Sequence, residues 1–399
     1  MASNPSTHLG ELFKSSRKKG EAGLPLLSVT LNNGLIVRDQ LDRRTETNLE
    51  ASEHLLVQSG DIAYNMMRVW QGALGRASVN GLVSPAYVVL RPTAKIDSLY
   101  AEYLFKTPRM IYLFWAYSYG LTKDRLRLYF NDFARIPVTI PDIKEQRKIA
   151  KILSTWDKAI TTTEQLLANS QEQKKALMQQ LLTGKKRLLD KNGVRFNGEF
   201  KRYHFSDLLE IDRKSLGSKT DPNLEFDYIS LSDVGTGTIL GALERHIFKT
   251  SPSRARRIVS PGDILLATVR PNLQGFAKVR EQHEHCIAST GFAVLTPKKG
   301  TCGDYVYHYL FGSHITGQIN ALVVGTNYPA INSSDVSGLC IYCPHYEEQI
   351  EIAKVLNSSD ELINALQQKL EALKQEKISL MQQLLTGKRR VKIDNKEVA

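Results

Sequence analysis

Cysteine is scarce in this chain: Cys286, Cys302, Cys340 and Cys343 are the only four in 399 residues. That is too few to staple a protein of this length, so a disulfide scaffold is excluded. Long hydrophobic runs are missing as well. The greasiest stretch is IYLFWAY, Ile111 to Tyr117, far short of the roughly 20 apolar residues that cross a bilayer. The first residues, MASNPSTHLGELFKSSRKKG, have no apolar segment of the kind a signal peptide needs, and a cytoplasmic protein is expected. Catalytic signatures are equally thin. No glycine-rich cofactor loop follows a strand, TGKKR lacks the spaced glycine and the Ser or Thr of a phosphate-binding loop, and no paired-carboxylate nuclease pattern is apparent. The chain is therefore expected to catalyse nothing by itself. What remains is an ordinary globular composition, 42% hydrophobic and 24% charged. Its base excess, 53 Lys plus Arg against 41 Asp plus Glu for a net +12, points toward a polyanionic partner.

Proline is absent from Glu145 until after TGK, and the only glycine there is Gly184, so nothing breaks a helix of about ten turns. The same stretch is written twice. LMQQLLTGK occurs at Leu177 to Lys185 and again at Leu380 to Lys388, an offset of 380 − 177 = 203, and Pro141–Lys185 matches Pro344–Lys388 without a gap at 21 of 45 positions. A period of that size is too long for a solenoid and means two copies of one large unit. With Leu153 at heptad position a, the first stripe reads Leu153, Trp156, Ile160, Thr163, Leu167, Ser170, Lys174, Leu177, Leu181. The second reads Leu356, Ser359, Ile363, Leu366, Leu370, Leu373, Lys377, Leu380, Leu384. So narrow a stripe predicts a coiled-coil seam, with Lys174 and Lys377 as polar residues that fix register. Connectivity makes the pairing antiparallel, and about 35 residues give a rod of about 50 Å with a globular region at each end. Gly184 and Gly387 suit left-handed helix ends, and the basic triplets after them are read either as solvated ends or as phosphate contacts.

The two globular regions share a skeleton but little sequence. VQSGDIAYNMMRVWQGALGRASV at Val57 corresponds to VSPGDILLATVRPNLQGFAKV at Val259, and each is followed by a strand-like run ending in proline, AYVVLRP or GFAVLTP. Short β-branched and aromatic runs, with helical stretches such as Ser98 to Tyr112 between them, predict a mixed α+β fold. The expected organisation is a first globular domain over 1–140, a helix over 141–187, a second domain over 195–343 and a second helix over 344–390.

The order of variable domain, helix opening P-x-x-x-E-Q-x-x-I-A-x-x-L and closing L-L-T-G-K, second variable domain opening FNGEF at Phe196–Phe200, and second such helix resembles the DNA-specificity subunit of Type I restriction-modification systems. The resemblance covers essentially the whole chain. It implies two target-recognition domains, each reading one half of a bipartite sequence in double-stranded DNA, held apart by the antiparallel helices. It also implies docking of two adenine-methylating modification subunits and, through them, restriction subunits that translocate and cut. S-adenosylmethionine, ATP and magnesium would belong to those partners, and none to this chain. The family often has Trp where Phe200 stands, and the first domain begins without that motif.

Base edges are read by Arg, Asn and Gln, and phosphates by Lys, Arg and backbone N–H groups. On that basis the first domain offers Asn65, Arg68, Trp70, Gln71 and Arg76, then Lys123, Arg125, Arg127, Tyr129 and Asn131. The second offers Arg254, Arg256 and Arg257, then Thr268, Arg270, Asn272 and Gln274, and Asn327 with Tyr328 in GTNYPA. Arg68 and Arg270 hold equivalent positions, so they are expected to bind phosphate or brace the loop, while residues that differ carry sequence information. A zinc site at Cys340-Ile-Tyr-Cys343 is set aside, because the stretch reads as a strand and the first copy has PVTIP there. The rival from another class is a coiled-coil scaffold with two protein-binding heads; the charge and the polar loops favour DNA.

Overall fold

The computed structural model describes residues 6–31, 33–40, 48–122, 125–323 and 329–392. The contacts divide the chain into two compact units, one holding the residues up to Glu164 and those from Gln368 onward, the other Gln165–Gln367. The repeated stretches form two helices of 39 residues each, Ile143–Leu181 and Tyr346–Leu384, and each unit contains part of both.

In the first unit an antiparallel sheet runs in the order Phe13–Ser16, Tyr87–Pro92, Ile62–Asn65, Leu74–Arg76. The second unit repeats it as Leu209–Ile211, Phe292–Pro297, Ile264–Ala267, Phe276–Lys278. A short strand at the head of each unit, Ser6–His8 or Lys201–His204, pairs with the strand just before the long helix, Pro137–Thr139 or Cys340–Cys343. The stretch expected to be helical from Ser98 to Tyr112 is two helices, Ser98–Phe105 and Pro108–Ala116. Pro108 lacks an N–H and restricts the residue before it, so the chain restarts with Thr107 capping the new helix. The second layer differs between the units. The first unit uses two separate strand pairs, Leu27–Thr30 with Gly34–Val37 and Leu55–Val57 with Gly81–Val83. The second builds one four-stranded sheet, in which Glu225–Ile229 runs parallel to Ile287–Ser289.

Every seam position is buried or half-buried: Leu153, Trp156, Ile160, Thr163, Leu167, Ser170, Lys174, Leu177 and Leu181 on the first helix, and Leu356, Ser359, Ile363, Leu366, Leu370, Leu373, Lys377, Leu380 and Leu384 on the second. Within the first unit Glu164 meets Lys374, Asp157 meets Lys377 and Glu145 meets Arg390. One number rises as the other falls, so these segments run antiparallel. The second unit repeats the pattern, with Lys174 to Asp360 at 2.5 Å and Arg187 to Glu348 at 2.5 Å. Each seam lysine thus binds the aspartate of the other copy, which is how a charged seam residue selects one register.

The E-Q of the helix signature acquires a cause. Glu145 and Glu348 are buried carboxylates held by Arg390 and Arg187, the last residue of the other copy's basic triplet. Gln146 donates to the carbonyls of Lys95 and Pro141 and accepts from the Asp97 N–H; Gln349 donates to Pro344 and accepts from Cys302. Both amides fasten the start of a long helix to the domain before it. Two helices then complete each core. Ile149, Ala150 and Leu153 with Leu384 and Leu385 close on Phe13, Phe105, Phe114 and Phe133 in the first unit. Ile352, Ala353 and Leu356 with Leu181 and Leu182 close on Phe205, Phe276 and Tyr305 in the second. Gly184 and Gly387 have φ of +71° and +73°, the left-handed ends the sequence called for.

Candidate nucleic-acid interface

Each unit carries a tight turn after the second-to-last strand of its main sheet. In the first, the strand Ile62–Asn65 ends at Asn65, whose side-chain oxygen accepts the Met67 N–H at 2.9 Å. Arg68 follows, exposed, and its carbonyl accepts the N–H groups of Gln71 and Ala73. The Trp70 indole donates to the Met67 carbonyl at 2.9 Å while its ring packs on the core, and Gln71 points to solvent. Gly72, at φ +96°, closes the turn. In the second unit Arg270 and Gln274 do this work with φ of +50° and +53°, a region in which side chains cost roughly 1–3 kcal/mol. They bracket Pro271, which is buried, and Asn272 and Leu273, which are exposed.

The structure joins stretches that are far apart in sequence. Leu128 N–H donates to the Met66 carbonyl at 3.0 Å, and the Tyr64 hydroxyl donates to the Leu128 carbonyl at 3.3 Å. Burial drives the Tyr64 phenol far above its ordinary pKa, so it stays a neutral donor. Arg125, Arg127, Tyr129 and Asn131 are thereby brought, exposed, beside the Arg68 turn. The backbones of Tyr119 and Arg127 pair as an antiparallel bridge, Tyr119 packs on Tyr129 at 5.6 Å, and Arg127 donates to the Tyr129 hydroxyl at 3.5 Å. Gly120 is required there, because a Cβ would lie 2.4 Å from the Arg125 carbonyl oxygen. The second unit repeats the junction: Ile331 N–H donates to Thr268 at 2.9 Å and Arg270 N–H to Pro329 at 2.7 Å. Lys123, Asn327 and Tyr328 lie outside the described residues.

Other candidates are engaged elsewhere. Arg76 is half-buried and donates to the Ser98 hydroxyl at 2.9 Å. Arg257 pairs with Asp212 at 2.7 Å, and Arg256 stacks over Phe248 and donates to the Ala255 carbonyl. Thr268 is buried, its hydroxyl bonded to the Gly291 carbonyl. Arg254 remains exposed, and its carbonyl accepts the Thr290 N–H, next to the Gly291 that binds Thr268, so it stands at the turn's edge of the sheet. Sequence reasoning passed over the exposed Tyr112, Trp115 and Met67 of the first unit and Leu273 of the second. Tyr112 and Trp115 form a ring pair at 5.8 Å on the helix Pro108–Ala116, which packs on the turn holding Val69–Gln71. The signal was available: Tyr112 and Trp115 stand three residues apart in IYLFWAY, the spacing that sets two rings on one helix face.

The four cysteines are all free, and Cys340 Sγ accepts from the Arg202 guanidinium at 3.1 Å. No helix among the described residues is long and apolar enough to cross a membrane.

The sequence profile of the family described as Type I restriction modification DNA specificity domain matches residues 7–169 and 197–375, one match in each half. The chain belongs to this family. Its two copies are DNA-specificity domains, and the family's contribution is recognition, without catalysis of its own. Among curated relatives, the Type I restriction enzyme MjaVIII specificity subunit of Methanocaldococcus jannaschii is 26% identical over 368 residues, covering 86% of this chain and 82% of the relative. The MjaX specificity subunit of the same organism, described as putative, is 25% identical, covering 76% and 71%. The fold is shared with a crystal structure of the Type I restriction-modification S subunit from M. genitalium, at a TM-score of 0.59, 13% identity and coverage of 98% and 96%. A Type I system structure concerned with complex assembly and conformational transition gives 0.52 at 16% identity, covering 96% and 98%.

Proposed function

We propose that the two turns are the reading heads, each recognising one half of a bipartite duplex target. The observation that carries this is the repeated junction, Leu128 to Met66 and Ile331 to Thr268, which gathers guanidinium and amide groups at the turn of each unit, with aromatic rings beside them in the first. In the first unit the contacts are Arg68, Gln71, Arg125, Arg127, Tyr129 and Asn131; in the second, Arg254, Arg270, Asn272 and Gln274. Arg68 and Arg270 bind phosphate, a task common to both units, and the unlike residues between and beside them select bases. The chain works in the cytoplasm with two adenine-methylating modification subunits and with restriction subunits, which bring S-adenosylmethionine, ATP and magnesium.

Methylome sequencing of a host carrying the chain with Asn272→Ala and Gln274→Ala tests this reading. The second half of the methylated motif should relax at about one position per substitution while the first half stays intact. Relaxation in the wrong half, or none in a complex that still methylates, overturns it.

A further inference from the structure

The outer face of the first long helix begins with a basic ridge. Lys144, Arg147, Lys148, Lys151 and Lys158 recur at i, i+3, i+4, i+7 and i+14, which puts them on one face. That face lies opposite the buried Glu145, Gln146, Ile149, Ala150 and Leu153 and the seam beyond them. None of the five has an ion-pair partner among the described residues, and no acid interrupts the ridge. The second long helix, otherwise so like the first, has Glu347, Ile350, Glu351 and Glu361 where these stand as Lys144, Arg147, Lys148 and Lys158; only Lys354 keeps the sign of Lys151, and it pairs with Glu351 at 2.7 Å.

Helix stability does not account for the basic version. The first turn of a helix favours carboxylates over cations, which counts against Lys144, and cations three or four residues apart, as at 144, 147, 148 and 151, repel one another. The cations must answer to something outside the helix. Duplex DNA held at the Arg68 turn is a poor fit. Asn65 leads into that turn from one end of the sheet, whereas Gln146, at the start of the ridge, is bonded to Lys95 and Asp97, just past Pro92 at the other end.

We infer that the ridge is a docking surface for an acidic patch on a partner subunit of the complex, engaged at the first unit alone. This rests on the proposed reading that modification subunits dock on this chain. A face whose charge inverts between the copies cannot serve two identical partners identically, so the two docking steps are unequal: one is held by charge and the other is not.

The test uses the full chain with its modification subunit, titrated by native mass spectrometry at about 0.05 M and about 0.5 M salt. Two steps are expected, one of which weakens about tenfold or more at the higher salt. Giving the first helix the second helix's face (Lys144→Glu, Arg147→Ile, Lys148→Glu, Lys158→Glu) should abolish the salt-sensitive step while raising the melting temperature slightly, since the helix dipole favours the change. The reciprocal exchange (Glu347→Lys, Ile350→Arg, Glu351→Lys, Glu361→Lys) should make the second step salt-sensitive. Two steps unmoved by both exchanges overturn the inference and leave the assembly reading standing. Loss of DNA affinity by the chain alone, with docking intact, also overturns it and assigns the ridge to DNA. Absence of any docking by the unaltered chain brings down the assembly reading and this inference together.

Discussion

The first and second units are two solutions to one problem, and they differ where the problem differs. The frame around the long helices is kept: the main four-stranded sheet, the E-Q anchor, the lysine–aspartate seam pair and the glutamate–arginine clamp at the helix ends. What faces outward has drifted. The edge proposed to read DNA is aromatic in the first unit, with Tyr112, Trp115, Tyr119 and Tyr129 exposed, and in the second is a strained Arg-Pro-Asn-Leu-Gln turn. Selection on packing fixes residue identity because a core tolerates little change in volume; a surface that must read a new target is freed from that constraint.

The comparison breaks most visibly in the cores. Leu384→Ala should cost about 2–5 kcal/mol and Leu181→Ala a similar amount. Because each leucine completes the core built on the other copy's domain, the first should raise amide exchange around Phe13 and Phe133, and the second around Phe205 and Tyr305. Exchange raised in the opposite unit would contradict the assigned packing.

The clamp should prove unequal. Arg187 and Glu348 are both well shielded, with side chains 18% and 1% exposed, whereas Arg390 is 47% exposed against a buried Glu145. Arg187→Ala should therefore cost about 3 kcal/mol in denaturant unfolding by stranding a buried carboxylate, and Arg390→Ala distinctly less, as water can reach Glu145 once the guanidinium is gone.

A pH difference separates the units further. His308 and Tyr103 hold equivalent places beside Asp360 and Asp157. Burial lowers the His308 pKa to about 4, against the Asn357 hydrogen bond and the Asp360 charge that raise it. Its folded pKa lies below the unfolded one, so the unfolded chain binds more protons between about pH 6.5 and about pH 4, and stability falls as pH drops through that window. The second unit should lose on the order of 2 kcal/mol at pH 5 relative to pH 7. Residue-resolved exchange at the two pH values should show this loss in the second unit, and His308→Tyr should blunt it.

The smallest effect concerns the shared arginines. Arg68→Ala and Arg270→Ala should each weaken target and non-target DNA binding alike and lower the salt slope by about one. If either instead relaxes one base while leaving non-target affinity untouched, that arginine reads sequence.

Much of the frame was legible in the sequence because it is written twice. Repetition exposed the helices, the seam and their caps, and the seam lysines announced a register device even though their aspartate partners lie off the stripe. The reading edge was only partly legible. A strand, a turn and a distant loop meet through backbone hydrogen bonds such as Leu128 to Met66, and backbone bonds leave no residue signature. Arg76, Arg257 and Thr268 looked like contacts by residue type, yet each is bonded inside its own unit. Their composition is that of a nucleic-acid surface; what sets them apart is Thr268's burial and the intramolecular partners that hold the half-buried Arg76 and Arg257. The parallel pairing in the second unit's extra sheet was hidden for a related reason: Glu225–Ile229 and Ile287–Ser289 are too far apart for a turn to declare them partners.

The exchange of helix ends also orders events on the ribosome. The first domain leaves the exit tunnel with Phe13, Phe105 and Phe133 awaiting Leu384 and Leu385, which are made more than 200 residues later. At roughly 5–20 residues per second, that is a wait of roughly ten to forty seconds with apolar surface uncovered. The second domain has no such delay, because Leu181 and Leu182 precede it in synthesis. The half translated first is thus the last to finish folding, and a nascent chain stalled before Leu384 presents that open core to chaperones and proteases.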